Sequence, residues 1–180
     1  MTSETAILAG GCFWCLEAIY NDLQGVQHVE SGYIGGHIDH PTYEEVCGKK
    51  SGHAEAVKIE FDPELVSYAE MLDIFFHIHD PTTKDRQGND TGPQYRSAIF
   101  PLDDAQRAAA KAAVENAASL WSDPIVTTIE GGKWWPGERG HQDYYARVGN
   151  STPYCNYVIG PKVQKFRKEY RDRLKPGVAV

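Results

Sequence analysis

The fold is decided by the stretch Thr5-Ala6-Ile7-Leu8-Ala9-Gly10-Gly11-Cys12-Phe13-Trp14-Cys15, in which a strand leads directly into a helix. The short apolar run from Thr5 to Ala9 predicts a buried strand. After it, apolar side chains recur at the spacing of one helix face, at Phe13, Leu16, Ile19, Tyr20 and Leu23. Gly10 and Gly11 allow a close approach of the backbone directly before Cys12. We therefore predict that Cys12 lies at the N-terminus of the first helix.

The position of Cys12 has a chemical consequence. At a helix N-terminus, unpaired backbone N–H groups and the positive end of the helix dipole favour the thiolate, which is the nucleophilic form of cysteine. Cys15 lies one turn further along the same face, so its sulfur could form a disulfide with that of Cys12. The alternative is a pair of buried apolar cysteines, although two glycines before Cys12 favour the reactive site.

Composition limits the class of protein. The chain has 180 residues, 41% of them hydrophobic, and we predict that residues 1–180 form a single domain. A net charge of −7 argues against nucleic acid as a partner. Met1 to Thr5 shows no signal-peptide pattern and no apolar run reaches membrane-spanning length, which predicts a cytoplasmic protein without a membrane partner. Four unevenly spaced cysteines then indicate redox or metal chemistry.

The rest of the chain predicts further strands and helices. Ala54 to Phe61 alternates in polarity, which predicts a second strand. Asp62-Pro63-Glu64 then begins a helix whose apolar stripe ends before Pro81. The other predicted elements are a strand at Tyr95 to Phe100, an Ala-rich helix capped by Asp103 and reaching about Leu120, a strand at Ile125 to Ile129, and a final basic helix near Lys162 to Leu174.

Two segments do not fit a regular element. The polar stretch from Asp80 to Pro93 has the length and composition of a functional loop. The segment from Trp134 to Tyr157 is rich in glycine, proline and aromatic residues, which favours irregular structure. With the strands and helices around them, these segments predict an α+β protein built as a two-layer sandwich.

Glu55 is the candidate acid. It stands at the start of a strand among small apolar residues, where loss of water would raise its pKa and make it a proton donor near neutral pH. Alternation along the strand favours the other interpretation, an ordinary glutamate on the outer face.

Four aromatic residues are candidates for the walls of a pocket. Tyr43 and Tyr95 each follow a turn-forming stretch, so their hydroxyl groups could point into a cleft, or the rings could simply pack. Phe13 and Trp14 flank the thiol and could form an apolar wall for a methyl or thioether group. They could equally be core anchors.

We do not predict a metal site. Structural zinc sites usually have two paired ligand clusters, whereas this chain has one cysteine pair. His77 and His79 are two positions apart on a helical stripe, so their side chains face apart.

The chain resembles the A-type peptide methionine sulfoxide reductases over most of its length, through several motifs in the family's order. The motifs are Gly11-Cys12-Phe13-Trp14, Gly32-Tyr33 with Gly35-Gly36, Pro41-Thr42-Tyr43, Gly52-His53-Ala54-Glu55-Ala56-Val57, His79-Asp80-Pro81, Arg86-Gln87-Gly88-Asn89-Asp90, Gln94-Tyr95-Arg96-Ser97-Ala98-Ile99 and His141-Gln142-Asp143-Tyr144. The resemblance implies a mixed-sheet α/β sandwich with a ferredoxin-like core and long irregular segments, including the C-terminal tail.

The resemblance also implies a reaction. Cys12 would attack the sulfur of methionine S-sulfoxide, free or in an oxidised protein or peptide, while Glu55 donates a proton to the oxygen. Methionine would leave, with Cys12 converted to a sulfenic acid. The residues that would bind the substrate are Tyr43 and Tyr95 at the oxygen, Phe13 and Trp14 at the methyl group, and Asp90 on the polar side.

Recycling is where the chain departs from the commonest family pattern, which has glycine at the position of Cys15. Cys155 matches the family's usual resolving cysteine. We therefore predict a relay, in which Cys15 resolves the sulfenic acid and Cys155 exchanges with that disulfide on a mobile segment for reduction by thioredoxin. The mechanism implied by the resemblance requires no metal and no organic cofactor. We expect a monomer, and Cys47 is assigned no role.

Two other functions remain open from the residues alone. A thioredoxin-like disulfide oxidoreductase would use Cys12 and Cys15 without needing Glu55. A non-enzymatic module could grip peptides with Trp14 and the aromatic residues of the tail.

Overall fold

The computed structural model describes residues 3–180, in which a mixed sheet is packed against helices. The strands are β1 (Glu4–Gly10), β2 (Val26–Ile34), β3 (Ala54–Phe61), β4 (Arg86–Gln87), β5 (Asp90–Thr91), β6 (Ser97–Ile99), β7 (Thr128–Ile129) and β8 (Trp135–Pro136). The helices are α1 (Phe13–Asn21), α2 (Tyr43–Cys47), α3 (Tyr68–Ile78), α4 (Asp104–Ala117), α5 (Tyr144–Val148) and α6 (Gly160–Glu169). Within residues 3–180, no helix has the length and apolar character needed to cross a membrane.

The sheet topology places the predicted first strand near its centre. The strand order is β7-β6-β1-β3-β2-β8, and β3 is antiparallel to both β1 and β2. The four inner strands, with α1 and α3 between them in sequence, have the βαββαβ arrangement of a ferredoxin-like core. Because β7 joins β6 in parallel, the sheet is mixed. The predicted α+β class and mixed sheet are confirmed.

The main core lies between the sheet and the helices. Val57, Ile59 and Phe61 of β3 point into it and have no exposed surface. The opposite face of the sheet carries smaller side chains, which are covered by Phe100 and Trp134. The two layers are therefore the sheet and the helices on one of its faces.

The helix predicted to begin at Asp62 begins at Tyr68 instead. The Asp62 carbonyl accepts hydrogen bonds from the N–H groups of Leu65 and Val66, which forms a turn, and Leu65 is 54% exposed. The cap of α3 is Ser67, whose hydroxyl accepts the Glu70 N–H at 3.0 Å. Asp62 and Pro63 thus form a turn that the sequence pattern does not distinguish from a helix start.

The strands were predicted less accurately than the helices. The sequence analysis missed β2, a nine-residue strand whose exposed residues do not alternate regularly and which is bulged between Val26 and His28. Tyr95 lies in a 3-10 turn at Pro93–Tyr95, so β6 begins only at Ser97. The strand predicted at 125–129 is reduced to β7.

Two helix predictions hold with shifted ends. Asp103 caps α4 as predicted, since its carboxylate accepts the Gln106 N–H at 2.7 Å, and the helix ends at Ala117. The final helix begins earlier than predicted, at Gly160, and follows one π-helical turn at Cys155–Ile159. The preceding tail is mostly irregular, as predicted, apart from β8, α5 and a short 3-10 turn.

Gly11 is required at the entry to α1. Its φ is +93°, which is a left-handed conformation, and an added Cβ would lie 2.6 Å from Cγ of Gln87. Gln87 cannot easily move away, because its amide oxygen accepts the Asp80 N–H at 2.7 Å and its amide nitrogen donates to the Asp80 carbonyl at 2.8 Å. The β4–β5 hairpin is thereby held against the residue before Cys12.

We expect Gly11→Ala to lower the free energy of unfolding by about 1–3 kcal/mol, because a side chain is strained at this φ and collides with Gln87. Urea denaturation measures the change. Gly131→Ala is the control, since no heavy atom lies within 4 Å of its added Cβ. It should change stability by less than about 0.5 kcal/mol. Equal changes in the two variants would contradict the role of Gly11.

Candidate active site

Cys12 lies where the sequence predicts it, as the N-terminal cap residue of α1 with an extended backbone. Its carbonyl accepts the Cys15 N–H at 3.1 Å, so the two cysteines occupy the first turn. Both are almost completely buried, with 7% of Cys12 and 3% of Cys15 exposed. The structure therefore brings the two thiols together in a site that is almost closed to solvent.

The expected preference for a thiolate at Cys12 is wrong for this state of the protein. Burial raises the pKa of the Cys12 thiol, and its hydrogen bond with Cys15 and the charge of Glu55 act in the same direction. A hydrogen bond from the backbone at Trp14 lowers the pKa, as expected at a helix N-terminus, but its effect is smaller. Cys12 is therefore the protonated partner of the pair.

The pKa of Cys15 is shifted in the opposite direction. The hydrogen bond from the Cys12 thiol lowers it most, and the positive charge of Lys162 lowers it further. The Lys162 ammonium nitrogen lies 4.0 Å from the Cys15 sulfur. Negative charge within the thiol pair is thus placed on Cys15.

Glu55 is buried on the helix side of the sheet. It is 1% exposed and shares its face of β3 with Val57, so the interpretation as a glutamate on the outer face is wrong. Val57 points inward, and residues two positions apart on a strand share a face, so alternation places Glu55 inward. The alternative interpretation assumed the opposite face. Directly across the sheet, Glu55 is paired with Tyr33 of β2.

The two oxygens of Glu55 have different environments. Oε1 accepts the Phe13 N–H at 3.2 Å, whereas Oε2 is buried and has no hydrogen-bond partner among residues 3–180. Loss of water raises the pKa of Glu55 to about 8, against the hydrogen bond from Phe13, and the charge of Asp90 adds to the rise. At neutral pH the carboxyl group of Glu55, which contacts the start of α1, is therefore protonated.

Tyr43 and Tyr95 stand around this carboxyl group and are half-buried. Burial raises the pKa of both hydroxyl groups, and the charge of Glu55 adds to the effect, so both remain hydrogen-bond donors. Tyr43 is fixed at the start of α2, since its N–H donates to Glu138 at 2.9 Å. Glu138 also accepts the Tyr33 hydroxyl at 2.9 Å. The sequence analysis did not identify Glu138, which lies far from both tyrosines in the chain.

Asp90 is linked to the thiols through Tyr154. The Tyr154 hydroxyl donates to the Asp90 carboxylate at 2.7 Å, and negative charge on either Cys12 or Cys15 would raise its pKa. Its ring meets the indole of Trp14 edge-on at 5.9 Å. Tyr154 was not predicted, although it directly precedes Cys155 in the sequence.

The indole of Trp14 forms a wall of the candidate site, and residues of the C-terminal tail fix its orientation. Its indole stacks on Tyr144 at 3.8 Å, and its ring N–H donates to Nδ1 of His141 at 3.2 Å. Glu17 supports this arrangement by accepting the Tyr144 N–H at 3.2 Å. Phe13, in contrast, has no exposed surface and stacks behind Tyr43. The two candidate wall residues therefore differ, because Trp14 is half-open and Phe13 is part of the core.

Cys155 is not on an exposed segment. It lies in the π-helical turn before α6, has no exposed surface, and its N–H donates to the Thr152 hydroxyl at 3.1 Å. The expected presentation of Cys155 on a mobile tail is therefore wrong for this state of the protein. Cys47 is half-buried at the end of α2 and shares a hydrogen bond with the hydroxyl group of Tyr43.

Comparison with known proteins identifies the class of enzyme. The family model described as peptide methionine sulfoxide reductase matches residues 4–174. The chain belongs to this family. It is 56% identical to the peptide methionine sulfoxide reductase MsrA of Erwinia tasmaniensis over 177 residues, which are 98% of this chain and 99% of the relative. The chain is therefore an oxidoreductase, and the non-enzymatic peptide-binding module is excluded as its function.

Solved structures of the family have the same fold. Reduced Mxr1 from Saccharomyces cerevisiae matches with a TM-score of 0.75 at 34% identity, over 81% of this chain and 85% of that one. Mxr1 in complex with Trx2 matches with a TM-score of 0.55 at 27% identity, over 79% and 84% of the two chains. The reductase fold is thus shared with a relative that was captured bound to another protein.

Glu55→Gln should stabilise the folded reductase increasingly as the pH rises. The pKa of the carboxyl group is raised to about 8 in the folded protein from an ordinary 4.5. Between these two pH values the folded protein therefore binds a proton that the unfolded protein has released. The wild-type protein therefore loses stability there, by up to about 1.4 kcal/mol per pH unit. Glutamine is neutral throughout and avoids this loss.

Urea unfolding of both proteins at about pH 5, 6.5 and 8 measures this difference in stability. Glu115→Gln on the exposed face of α4 is the control and should differ from wild type by a constant amount. A constant difference for Glu55→Gln as well would show that the native carboxyl group is ionised.

Proposed function

We propose that the reductase converts the S epimer of methionine sulfoxide to methionine, in free form or within oxidised proteins, with Cys12 as the nucleophile and Glu55 as the acid. One observation carries this proposal. Glu55 holds a proton in a buried position beside the first turn of α1, and its Oε2 has no partner in the part of the chain that the structure describes. A buried oxygen without a partner is costly unless a ligand completes its hydrogen bonding. A sulfoxide oxygen is such an acceptor.

In the proposed reaction, the Cys12 sulfur attacks the sulfoxide sulfur while Glu55 transfers its proton to the sulfoxide oxygen. The bond between the substrate sulfur and its oxygen breaks, and the resulting OH group bonds to the Cys12 sulfur as the bond between the two sulfurs breaks. Methionine leaves, and Cys12 is left as a sulfenic acid. The proton lost by the Cys12 thiol replaces the one that Glu55 gives up. Cys12 is thereby oxidised and the substrate reduced, with Glu55 returned to its starting form.

The surrounding side chains suit a sulfoxide. The hydroxyl groups of Tyr43 and Tyr95 remain protonated and can donate hydrogen bonds to the oxygen as negative charge develops on it. The half-open indole of Trp14 provides an apolar surface for the methyl group, and Phe13 supports the pocket from behind. Asp90 orients Tyr154 on the polar side.

The proposal predicts reduction of one epimer. With dithiothreitol as reductant, a peptide containing the S sulfoxide should release methionine and the R sulfoxide should not. Cys12→Ser should abolish this activity, and Glu55→Gln should lower it by about 10²- to 10⁴-fold, the usual contribution of a general acid. Turnover of neither epimer by protein with reduced Cys12 would favour the thioredoxin-like disulfide exchange, which does not need Glu55.

For recycling we propose a relay from Cys12 through Cys15 to Cys155, with thioredoxin as the external reductant. The proximity of Cys12 and Cys15 in one helical turn supports the first bond. The complex of the yeast relative Mxr1 with Trx2 supports the final step. Since Cys155 is fully buried, its exchange with Cys15 requires the π-helical turn at Cys155–Ile159 to open.

Mass mapping of disulfides after a single turnover without reductant tests the relay. We expect a Cys12–Cys15 bond first and a Cys15–Cys155 bond later. In Cys155→Ser the first bond should form at the wild-type rate and then persist. A Cys12–Cys155 bond as the sole product would contradict the relay.

The remaining features of the proposed function concern its setting. We propose that residues 1–180 act as one reductase domain and as a monomer in the cytoplasm, where disulfides are reduced by thiol systems. The reaction as written takes its electrons from thiols alone, so the proposal includes no metal and no organic cofactor.

A further inference from the structure

Lys162 contacts a reacting sulfur, and the proposed function does not yet use it. It lies in the first turn of α6, with its ammonium nitrogen 4.0 Å from Sγ of Cys15. None of the ion pairs within residues 3–180 includes Lys162. Two neighbours on the same helix differ in this respect, since Lys165 pairs with Glu169 and Arg167 pairs with Asp22. The charge of Lys162 is thus directed at the thiol rather than at a carboxylate.

The groups that face Cys15 act in opposite directions. Asp90 disfavours a negative charge on Cys15, and an ionised Glu55 and a Cys15 thiolate would likewise repel each other. The Cys12 thiol, Lys162 and the Tyr154 hydroxyl favour a negative charge. In the reduced protein the Cys12 thiol has the largest effect of these.

Oxidation of Cys12 changes this balance. In the sulfenic acid the proton of Cys12 is on oxygen, so the S–H group that stabilises a Cys15 thiolate no longer exists. Lys162 and Tyr154 are then the remaining supports for the charge, and Lys162 is the one that carries a full positive charge. The need for Lys162 is therefore greatest at the step in which Cys15 must act as a nucleophile.

We propose that Lys162 activates Cys15 as the thiolate that attacks the oxidised Cys12. This proposal rests on the proposed function for the origin of the sulfenic acid. In the step, the Cys15 sulfur forms a bond with the Cys12 sulfur and the bond from that sulfur to its hydroxyl oxygen breaks. The hydroxide takes up a proton, which balances the one that Cys15 released on becoming a thiolate, and leaves as water. Cys15 is oxidised, Cys12 is reduced to the level of a disulfide, and no other reductant is consumed.

The geometry allows a substitution that removes only the charge. The Lys162 side chain is half-buried between two surface clefts, one lined by Asp90, Tyr154 and Tyr157 and the other by His79 and Gln87. Methionine has a stem of similar length and can keep the packing, whereas arginine keeps the charge. Lys165→Met, on the exposed face of the same helix, is the matched control.

The experiment is a single turnover of reduced protein with the S sulfoxide and no reductant. Methionine release and disulfide formation are measured separately, and the sulfenic acid is trapped with dimedone and detected by mass spectrometry. In Lys162→Met we expect the sulfenic acid to accumulate and the Cys12–Cys15 bond to form about three- to tenfold more slowly near pH 7. The slower rate follows from a smaller thiolate fraction of Cys15 once the charge of Lys162 is removed, partly offset by greater intrinsic nucleophilicity.

The pH dependence separates activation from a structural effect. The difference between Lys162→Met and wild type should disappear at high pH, where Cys15 is ionised in both proteins. Lys162→Arg should restore most of the rate, and Lys165→Met should behave as wild type at every pH. A wild-type rate in Lys162→Met, an equal loss in Lys165→Met, or a loss that persists at high pH would overturn the proposal.

Failure of the proposed function would be recognised separately. If no protein releases methionine, the sulfenic acid can be generated with hydrogen peroxide and the same comparison of disulfide rates made. If wild type then forms no Cys12–Cys15 bond, the role of Lys162 is overturned as well. A slower bond in Lys162→Met under these conditions would support Lys162 independently of the substrate.

Discussion

The site depends on a carboxyl group that the fold removes from water. Glu55 lies on the inner face of β3, where the Phe13 N–H is its only hydrogen-bond donor among residues 3–180. Its proton is retained because ionisation there is costly. Burial acts on Cys12 in the same way, so the two central groups of the resting site are both neutral. The surrounding tyrosines supply donors without adding charge. Glu55 and Cys12 are thus protonated and uncharged at the positions where the proposed reaction uses their protons.

This neutral centre is bordered by charges that are held apart from it. Glu138 is occupied by Tyr33 and Tyr43, and Asp90 is occupied by Tyr154. Lys162 lies on the other side, against Cys15. The charge of Asp90 therefore helps to keep the pKa of Glu55 high, while the positive group is next to the second thiol. The proposed acid and the proposed resolving thiol therefore have different charged neighbours.

Local patterns were sufficient to predict the parts of the site that belong to one element. The strand before Cys12, the helix after it and the strand that carries Glu55 were all predicted from periodicity, as was the α+β class. The predicted loss of water at Glu55 agrees with its burial, whereas the alternative of an outer-face glutamate does not, as counting from Val57 would have shown. The late start of α3 could have been found from Ser67 and Glu70, which have the spacing of a better cap.

The remainder of the site could not be predicted in this way, because it depends on contacts between distant segments. Glu138, His141 and Tyr144 belong to a tail with little regular structure, and their partners lie about a hundred residues earlier in the chain. No periodic signal marks such residues. His141, which holds the indole of Trp14, is also synthesised 127 residues after it. A nascent chain therefore carries the thiol pair long before it can hold a substrate, and the enzyme becomes competent only after its synthesis is nearly complete.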